Sequence, residues 1–378
     1  MKDITLVKLA LIFGSLQFWM TSFVLYLGTK GFNNEQIYLA LGLHSTFIIL
    51  LEYPTGVIGD YFSHKLSVLL GTFIATIIFP LFIFSEGYPA LIIFLLLGAL
   101  GTSLISGSDT ALIHNHSKNF KKDLSQVKMF SLIMSASAIA IGGLLSKYNL
   151  NYPLYATWFF FLISALFVLF VKDTKNHRES GNIFAASIDG IKYAISDKLI
   201  INAVILSSLV GAFFLAFKWF YNPLFIEMKI PVEYWGIIIG TAYLLIASGV
   251  WFYQKFSEKK VSWIFLGTVL SIFLIGFTNF ISIPIIAIFL AYNLKGYLEA
   301  QMDVKINHAI GKSFRASIFS FKSLIIRLMS SIFIFSFGFI LERSSFFTAM
   351  TIFAVLIFII GIIPLLKIQK IPAEFQRG

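Results

Sequence analysis

The chain contains no cysteine, so it can build neither a disulfide framework nor a thiolate metal site. Charge is also scarce. Only 12% of the 378 residues are Asp, Glu, Lys or Arg, against 58% hydrophobic, and the mean hydropathy is +0.87. A soluble globular domain carries about 25% charged residues, so that class is excluded. No Gly-x-x-x-x-Gly-Lys phosphate loop occurs, which argues against ATP-driven work within this chain. His114-Asn-His116 stands close to loop lysines without acidic company, so no metal site is expected there. Neither a cofactor nor an enzymatic activity is expected. A formal charge of +11 would suggest nucleic acid in a soluble protein. Here the basic residues lie in loops between apolar runs, so membrane topology accounts for them and no nucleic-acid partner is expected.

What the chain has in abundance is phenylalanine, 43 residues, and apolar runs near the roughly 20 residues that cross a bilayer. Twelve spans are predicted: Ile4–Leu27, Glu35–Gly59, Leu66–Ser85, Pro89–Ile113, Gln126–Ser146, Pro153–Val171, Leu199–Tyr221, Tyr234–Gln254, Val261–Thr278, Ser282–Lys305, Arg315–Leu341 and Phe346–Leu366. The basic start Met1-Lys-Asp-Ile-Thr-Leu-Val-Lys8 is read as the flank of a retained first helix, because no small-residue cleavage site follows. With the N-terminus in the cytoplasm, most of the 29 Lys and Arg fall inside, and the outer loops hold only Lys30, Lys147, Lys229 and Arg343. The positive-inside rule then places both termini in the cytoplasm of a cell (inner or plasma) membrane.

The longest polar stretch, Lys172–Lys198, divides the chain. The expected domains are an N-terminal six-helix bundle over 1–171, a cytoplasmic linker over 172–198 and a C-terminal six-helix bundle over 199–378. Gln254-Lys-Phe-Ser-Glu-Lys259 faintly echoes Asp60-Tyr-Phe-Ser-His-Lys65 at the same place in the other half, in keeping with a repeated bundle. The expected fold class is all-α: a polytopic membrane protein with twelve transmembrane helices in two pseudo-symmetric six-helix bundles.

The stretch Glu52–Lys65 is the most informative. Gly56 and Gly59, then Asp60, then His64 and Lys65 form a tight turn between two spans. It resembles the loop 2–3 signature of the major facilitator superfamily, Gly-x-Leu-x-Asp-Arg-x-Gly-Arg-Lys. Gly56, Ile58, Asp60 and Lys65 fall in register, while Tyr61, Ser63 and His64 depart from it. Ser106-Gly-Ser-Asp-Thr-Ala-Leu-Ile113 and Arg315-Ala-Ser-x-x-Ser320 resemble signatures of the efflux-like branch. Ala138-Ile-Ala-Ile-Gly-Gly143 shares only its closing glycines with the antiporter signature. The resemblance implies alternating access, with Asp60 latching against the helix that Arg315 opens, and with Asp109 joining the same charge network. A histidine at position 64, with a reference pKa of about 6.5 for that residue type, would make the latch pH-sensitive.

Other candidates come from depth. A charged group inside a span is costly and faces a partner or a water-filled space. Glu52 lies about 12 Å inside its helix from Asp60 at 1.5 Å per residue, and with Asp109 is a candidate proton carrier. Pro54 is expected to bend that helix. Lys295 and Arg327 approach the bilayer middle. Glu299, four residues on, could neutralise Lys295, whereas Ser323, Leu324, Ser330 and Ser331 offer Arg327 no acid. Arg327, Lys295, Gln17, Trp19 and His44 are the expected substrate-binding residues, and Lys218 is read as a snorkelling residue near an outer helix end. Gly236–Gly240 and Ala138–Gly142 read as packing seams. Proton-coupled export of a small amphiphilic compound is the leading expectation. The alternatives are an importer or uniporter of an organic anion, and a non-transporting sensor or assembly protein on the same fold. The expected partners are the substrate, protons and the bilayer, and the expected state is a monomer.

Overall fold

In a computed structural model of the protein, the structure describes residues 2–173, 191–256, 260–310 and 315–369, apart from the side chains of Lys2, Tyr53, Asp60 and Ala316. The described residues contain helices and no strand. The helices are α1 (Lys2–Gly14), a single 3-10 turn (Phe18–Thr21), α2 (Phe23–Thr29), α3 (Asn34–Tyr61), α4 (His64–Ile83), α5 (Tyr88–Ile105), α6 (Ser108–His116), α7 (Phe120–Tyr148) and α8 (Tyr152–Phe170). They continue with α9 (Lys198–Glu227), α10 (Val232–Lys255), α11 (Val261–Ile275), α12 (Ser282–Ala309), α13 (Arg315–Arg343) and α14 (Phe346–Gln369). Ten helical stretches among the described residues are long and apolar enough to cross a membrane. The shorter apolar α11, and α3 with its Glu35, His44, Glu52 and Asp60, complete the expected twelve.

Side-chain caps set several of the corners. Asn33 and Gln36 form a reciprocal capping box at the start of α3, 2.8 Å and 3.2 Å. Ser63 accepts from Leu66 N at the start of α4, 3.0 Å. Asp197 accepts from Leu199 N and Ile200 N at the start of α9, 2.7 Å and 3.0 Å. Each cap satisfies amide donors that the first turn of a helix leaves open.

Two predicted spans are not single helices. The first breaks after Gly14 into α1, the 3-10 turn and α2. The break is held by neighbouring hydroxyls: Trp19 N donates to Thr157 Oγ1 (3.2 Å), Ser135 Oγ donates to Ser15 O (3.0 Å), and Thr21 Oγ1 donates to Ile139 O (2.6 Å). In lipid, backbone freed from a helix must find such partners. The fourth span breaks at Ser106-Gly107, where Gly107 adopts φ +79, a left-handed conformation open mainly to glycine. The seventh is longer than expected, since α9 runs on through Pro223 to Glu227.

The chain divides into two compact units, Met1–Glu179 with Lys229–Gly240, and Ser180–Met228 with Thr241–Gly378. In the first, Trp19, Phe23, Phe79, Phe82 and Phe94 form an aromatic cluster, with Phe82 and Phe94 stacked at 4.4 Å. Val7, Ala10, Val68, Leu112, Val127 and Val168 form a second, aliphatic cluster. Glycine permits close backbone approach here: a Cβ on Gly236 would overlap Ile139 O, and one on Gly142 would overlap Phe18 O. Lys147 pairs with Glu233 across the same seam, 3.1 Å. In the second unit α9 is the most buried helix, packed on α12, α13 and α14. Phe220 stacks on Phe337 at 3.9 Å and on Phe353 at 5.7 Å. Gly249 and Gly296 bring α10 and α12 together, since a Cβ on either would overlap a backbone carbonyl of the other helix.

Candidate functional site

The first unit gathers polar groups where α3, α5 and α6 meet. Glu52 is partly buried on α3, and Ser106 Oγ donates to its Oε1 at 3.3 Å. Ser106 can do so because the α5 helix stops there, turned by Gly107. Asp109, in the first turn of α6, accepts from Thr110 N (2.6 Å) and Thr110 Oγ1 (3.2 Å). A carboxylate in a first turn also meets the positive end of the helix dipole. Pro54 does not end α3. Thr55 Oγ1 donates to Leu51 O and Glu52 O, at 2.7 Å and 3.3 Å, a back-bonding pattern that bends helices.

The turn after α3 is built on one tight glycine. A Cβ on Gly59 would lie 2.7 Å from Ser108 Oγ and 3.2 Å from His64 Nδ1, so α3, α4 and α6 converge there. Gly56 has open space around it, so close packing does not account for that glycine. His64 opens α4 beside its cap Ser63, and Lys65 follows, partly buried. The Asp60 side chain lies outside the described residues, so its expected latch is not described.

The remaining first-unit candidates sit at or near the broken span. Gln17 immediately precedes the 3-10 turn with non-helical φ −105 and ψ 75. Trp19 turns its indole into the aromatic cluster, 4.5 Å from Phe23 and 5.7 Å from Phe79. His44 Nδ1 lies 2.8 Å from Leu95 O, tying α3 to α5.

The second unit holds the cations. Lys295 and Glu299 form an ion pair of 2.8 Å on α12. The Lys295 ammonium also lies 5.9 Å from the Phe214 ring of α9. Lys218, one turn beyond Phe214 on the same face of α9, lies over Trp219 at 4.8 Å. It is nine residues, about 13 Å, short of the end of α9, so the expected snorkelling place near a helix end is corrected. The cause is the extension of α9 beyond Tyr221. Arg327 is partly buried twelve residues into α13. Arg315, at the start of α13, donates to Asn307 O at 3.4 Å.

Two features escaped the sequence reading. Lys322, buried on α13, forms an ion pair with Asp303 on α12. Tyr292, one turn before Lys295, is 1% exposed and packs on Phe214 (4.9 Å) and Tyr243 (5.5 Å). Ionisable residues inside predicted spans were the available signal for the first. The second depends on helix rotation. Among the described residues no cluster of three or more His, Asp or Glu could hold a metal ion.

A helical bundle that spans the membrane many times, with ionisable groups inside each unit, defines a polytopic membrane protein of the carrier type. Residues 8–298 match the Major Facilitator Superfamily, and the chain belongs to that superfamily. Among curated protein sequences none matches the chain. Solved structures share its fold. The nucleoside transporter NupG superposes with a TM-score of 0.79 at 16% identity, covering 98% of this chain and 100% of that one. A bacterial homolog of the human lysosomal transporter Spinster, inward-facing and unoccupied, gives 0.80 at 12% identity, covering 100% and 98%. A POT family transporter in complex with 5-aminolevulinic acid gives 0.76 at 12%, covering 97% and 96%. At these identities the likeness is one of fold. The family and the fold are those of transporters rather than enzymes.

Proposed function

We propose that the protein is a secondary transporter of the efflux-like branch that exports a small amphiphilic compound in exchange for protons, by alternating access. The observation that carries the reading is Glu52. A carboxylate inside a lipid-embedded helix is expensive and marks a proton or substrate path. Glu52 is partly buried beside a broken helix, with Ser106 donating to it, so the carboxyl group is held at one place inside the first unit. Asp109 is the second candidate carrier. Asp60, His64, Lys65 and Arg315 are proposed to gate the cytoplasmic side, with Gly56 and Gly59 shaping the turn. Both termini are proposed to be cytoplasmic in a cell membrane, with bundles over 1–171 and 199–378 joined by the linker 172–198, in a monomer.

A second reading is uptake or uniport of an organic anion. Lys218 and Arg327 in the second unit favour it. Flux of radiolabelled solutes in proteoliposomes with an imposed pH gradient separates the two. Export that accelerates with the gradient and is lost in Glu52→Gln supports the first. Anion uptake indifferent to the gradient contradicts it and supports the second. Absence of flux for every solute tried points instead to a sensor or assembly role.

A further inference from the structure

The break in the first span leaves polar groups that its anchors do not reach. It falls between Gly14 and Phe18, near the middle of the predicted Ile4–Leu27 span. Ser15 Oγ donates within the span to Ile12 O at 2.7 Å and across to Ser131 O at 3.3 Å. Ser135 Oγ reaches Ser15 O at 3.0 Å, Trp19 N reaches Thr157 Oγ1 at 3.2 Å, and Thr21 Oγ1 reaches Ile139 O at 2.6 Å. Leu16 and Phe18 are buried in one cluster with Ala138, against Met134 and Phe160. These partners all lie on α7 or α8.

Gln17 stands at the centre of the break and is not a member of that cluster. Its backbone is engaged: its N–H donates to Ser15 O at 3.0 Å, and its carbonyl accepts from Met20 N at 3.4 Å. Its side chain is not. Among the described residues the Gln17 carboxamide makes no hydrogen bond, and its polar atoms remain accessible although the residue is partly buried. The carbonyls of Gly14 and Leu16 accept no hydrogen bond from the described residues either. Backbone opened at membrane depth persists only where protein buries it or where it lines a water-filled space. Carriers with interrupted helices place their solute sites at the interruption. No residue from Gly14 to Ser22 is ionisable, so the break offers a charged group no counter-charge of its own. It offers instead a carboxamide, with two donors and one acceptor oxygen, and two further acceptor carbonyls. Beside them Trp19, partly buried, stands at the edge of the aromatic cluster, 4.5 Å from Phe23 and 5.7 Å from Phe79.

We infer that the break in the first unit recognises an uncharged amide group on an apolar body. Gln17 donates to the amide oxygen and accepts from an amide N–H, the Gly14 or Leu16 carbonyl takes a second N–H, and Trp19 meets the apolar part. A primary amide carries the complementary set, two N–H donors and one C=O acceptor, so one group satisfies both sides. This inference rests on the transport reading and deepens it: the polar end of the amphiphilic solute is a neutral donor–acceptor pair.

The test uses the full chain in nanodiscs and four tritiated probes of similar size: benzamide, N,N-dimethylbenzamide, benzoate and benzylamine. Benzamide is expected to bind about tenfold or more tighter than each of the others. N,N-Dimethylbenzamide keeps the oxygen but lacks the N–H donors, and the two ions find no counter-charge on the break. Gln17→Leu should lose about tenfold for benzamide and bring it level with N,N-dimethylbenzamide. Gln17→Asn keeps the carboxamide on a shorter stem and should recover part of the loss, which separates recognition from misfolding. Equal binding of benzamide and N,N-dimethylbenzamide, tighter binding of benzoate or benzylamine, binding by none of the four, or benzamide binding unchanged in Gln17→Leu would overturn the inference. Flux of the same probes separates its failure from that of the transport reading. Benzamide bound but not carried removes the transport reading and leaves this site. Carriage of benzoate or benzylamine without benzamide binding removes this site and leaves the transport reading.

Discussion

Lys322 on α13 is paired with Asp303 on α12, and the two ends of the pair differ in exposure: the lysine side chain is 8% exposed and the aspartate 40%. That asymmetry gives the first prediction. Asp303→Asn leaves a buried ammonium without its counter-charge and should destabilise by about 2–4 kcal/mol. Lys322→Met leaves an aspartate that can still reach water and should cost less. Thermal unfolding of both variants in the same detergent gives the order, and a double variant less damaged than Asp303→Asn alone would show that the unpaired charge is the cause.

The glycines of α10 and α12 should behave oppositely to the first glycine of the Glu52–Lys65 turn. Gly249→Val and Gly296→Val place side-chain atoms where the partner helix has backbone carbonyls, so little folded protein is expected on size-exclusion chromatography. Gly56→Ala meets open space and should leave yield and thermal stability unchanged. If Gly56→Ala still abolishes flux, the glycine serves conformational change. If it unfolds the protein, the packing described for the turn is wrong.

Gly107 turns the chain between α5 and α6 at φ +79. Gly107→Ala should cost about 1–2 kcal/mol, the usual penalty for an L-residue in that conformation. It should also displace Ser106 from Glu52. Ser106→Ala removes the same hydrogen bond without touching the backbone. The two variants should therefore shift the pH profile of flux in the same direction while only Gly107→Ala lowers thermal stability. Opposite shifts would uncouple Ser106 from Glu52.

Much of this was legible in the residues. Apolar run lengths and basic loops marked twelve spans because lipid imposes a fixed thickness on every crossing. The Lys295–Glu299 spacing foretold a local pair, and that pair forms because four residues make one helical turn. What was not legible required knowledge of neighbours. The break at Ser15–Gln17 lies inside an unbroken apolar run and exists because Thr157 and Ser135 supply the backbone's partners. Asn222-Pro223 reads as a stop, yet α9 continues through it, so Lys218 lies deeper than its sequence position implied. Asp303 and Lys322 are nineteen residues apart on different helices, and only helix rotation brings them together.

Proton movement itself tests the central claim most directly. In vesicles holding the protein and an acid lumen, adding the transported solute should raise lumenal pH, read by a trapped fluorescent indicator, and Glu52→Gln should abolish the rise while solute binding persists. A solute that crosses the membrane at full rate with no change in lumenal pH, or a full proton signal from Glu52→Gln, would contradict the account.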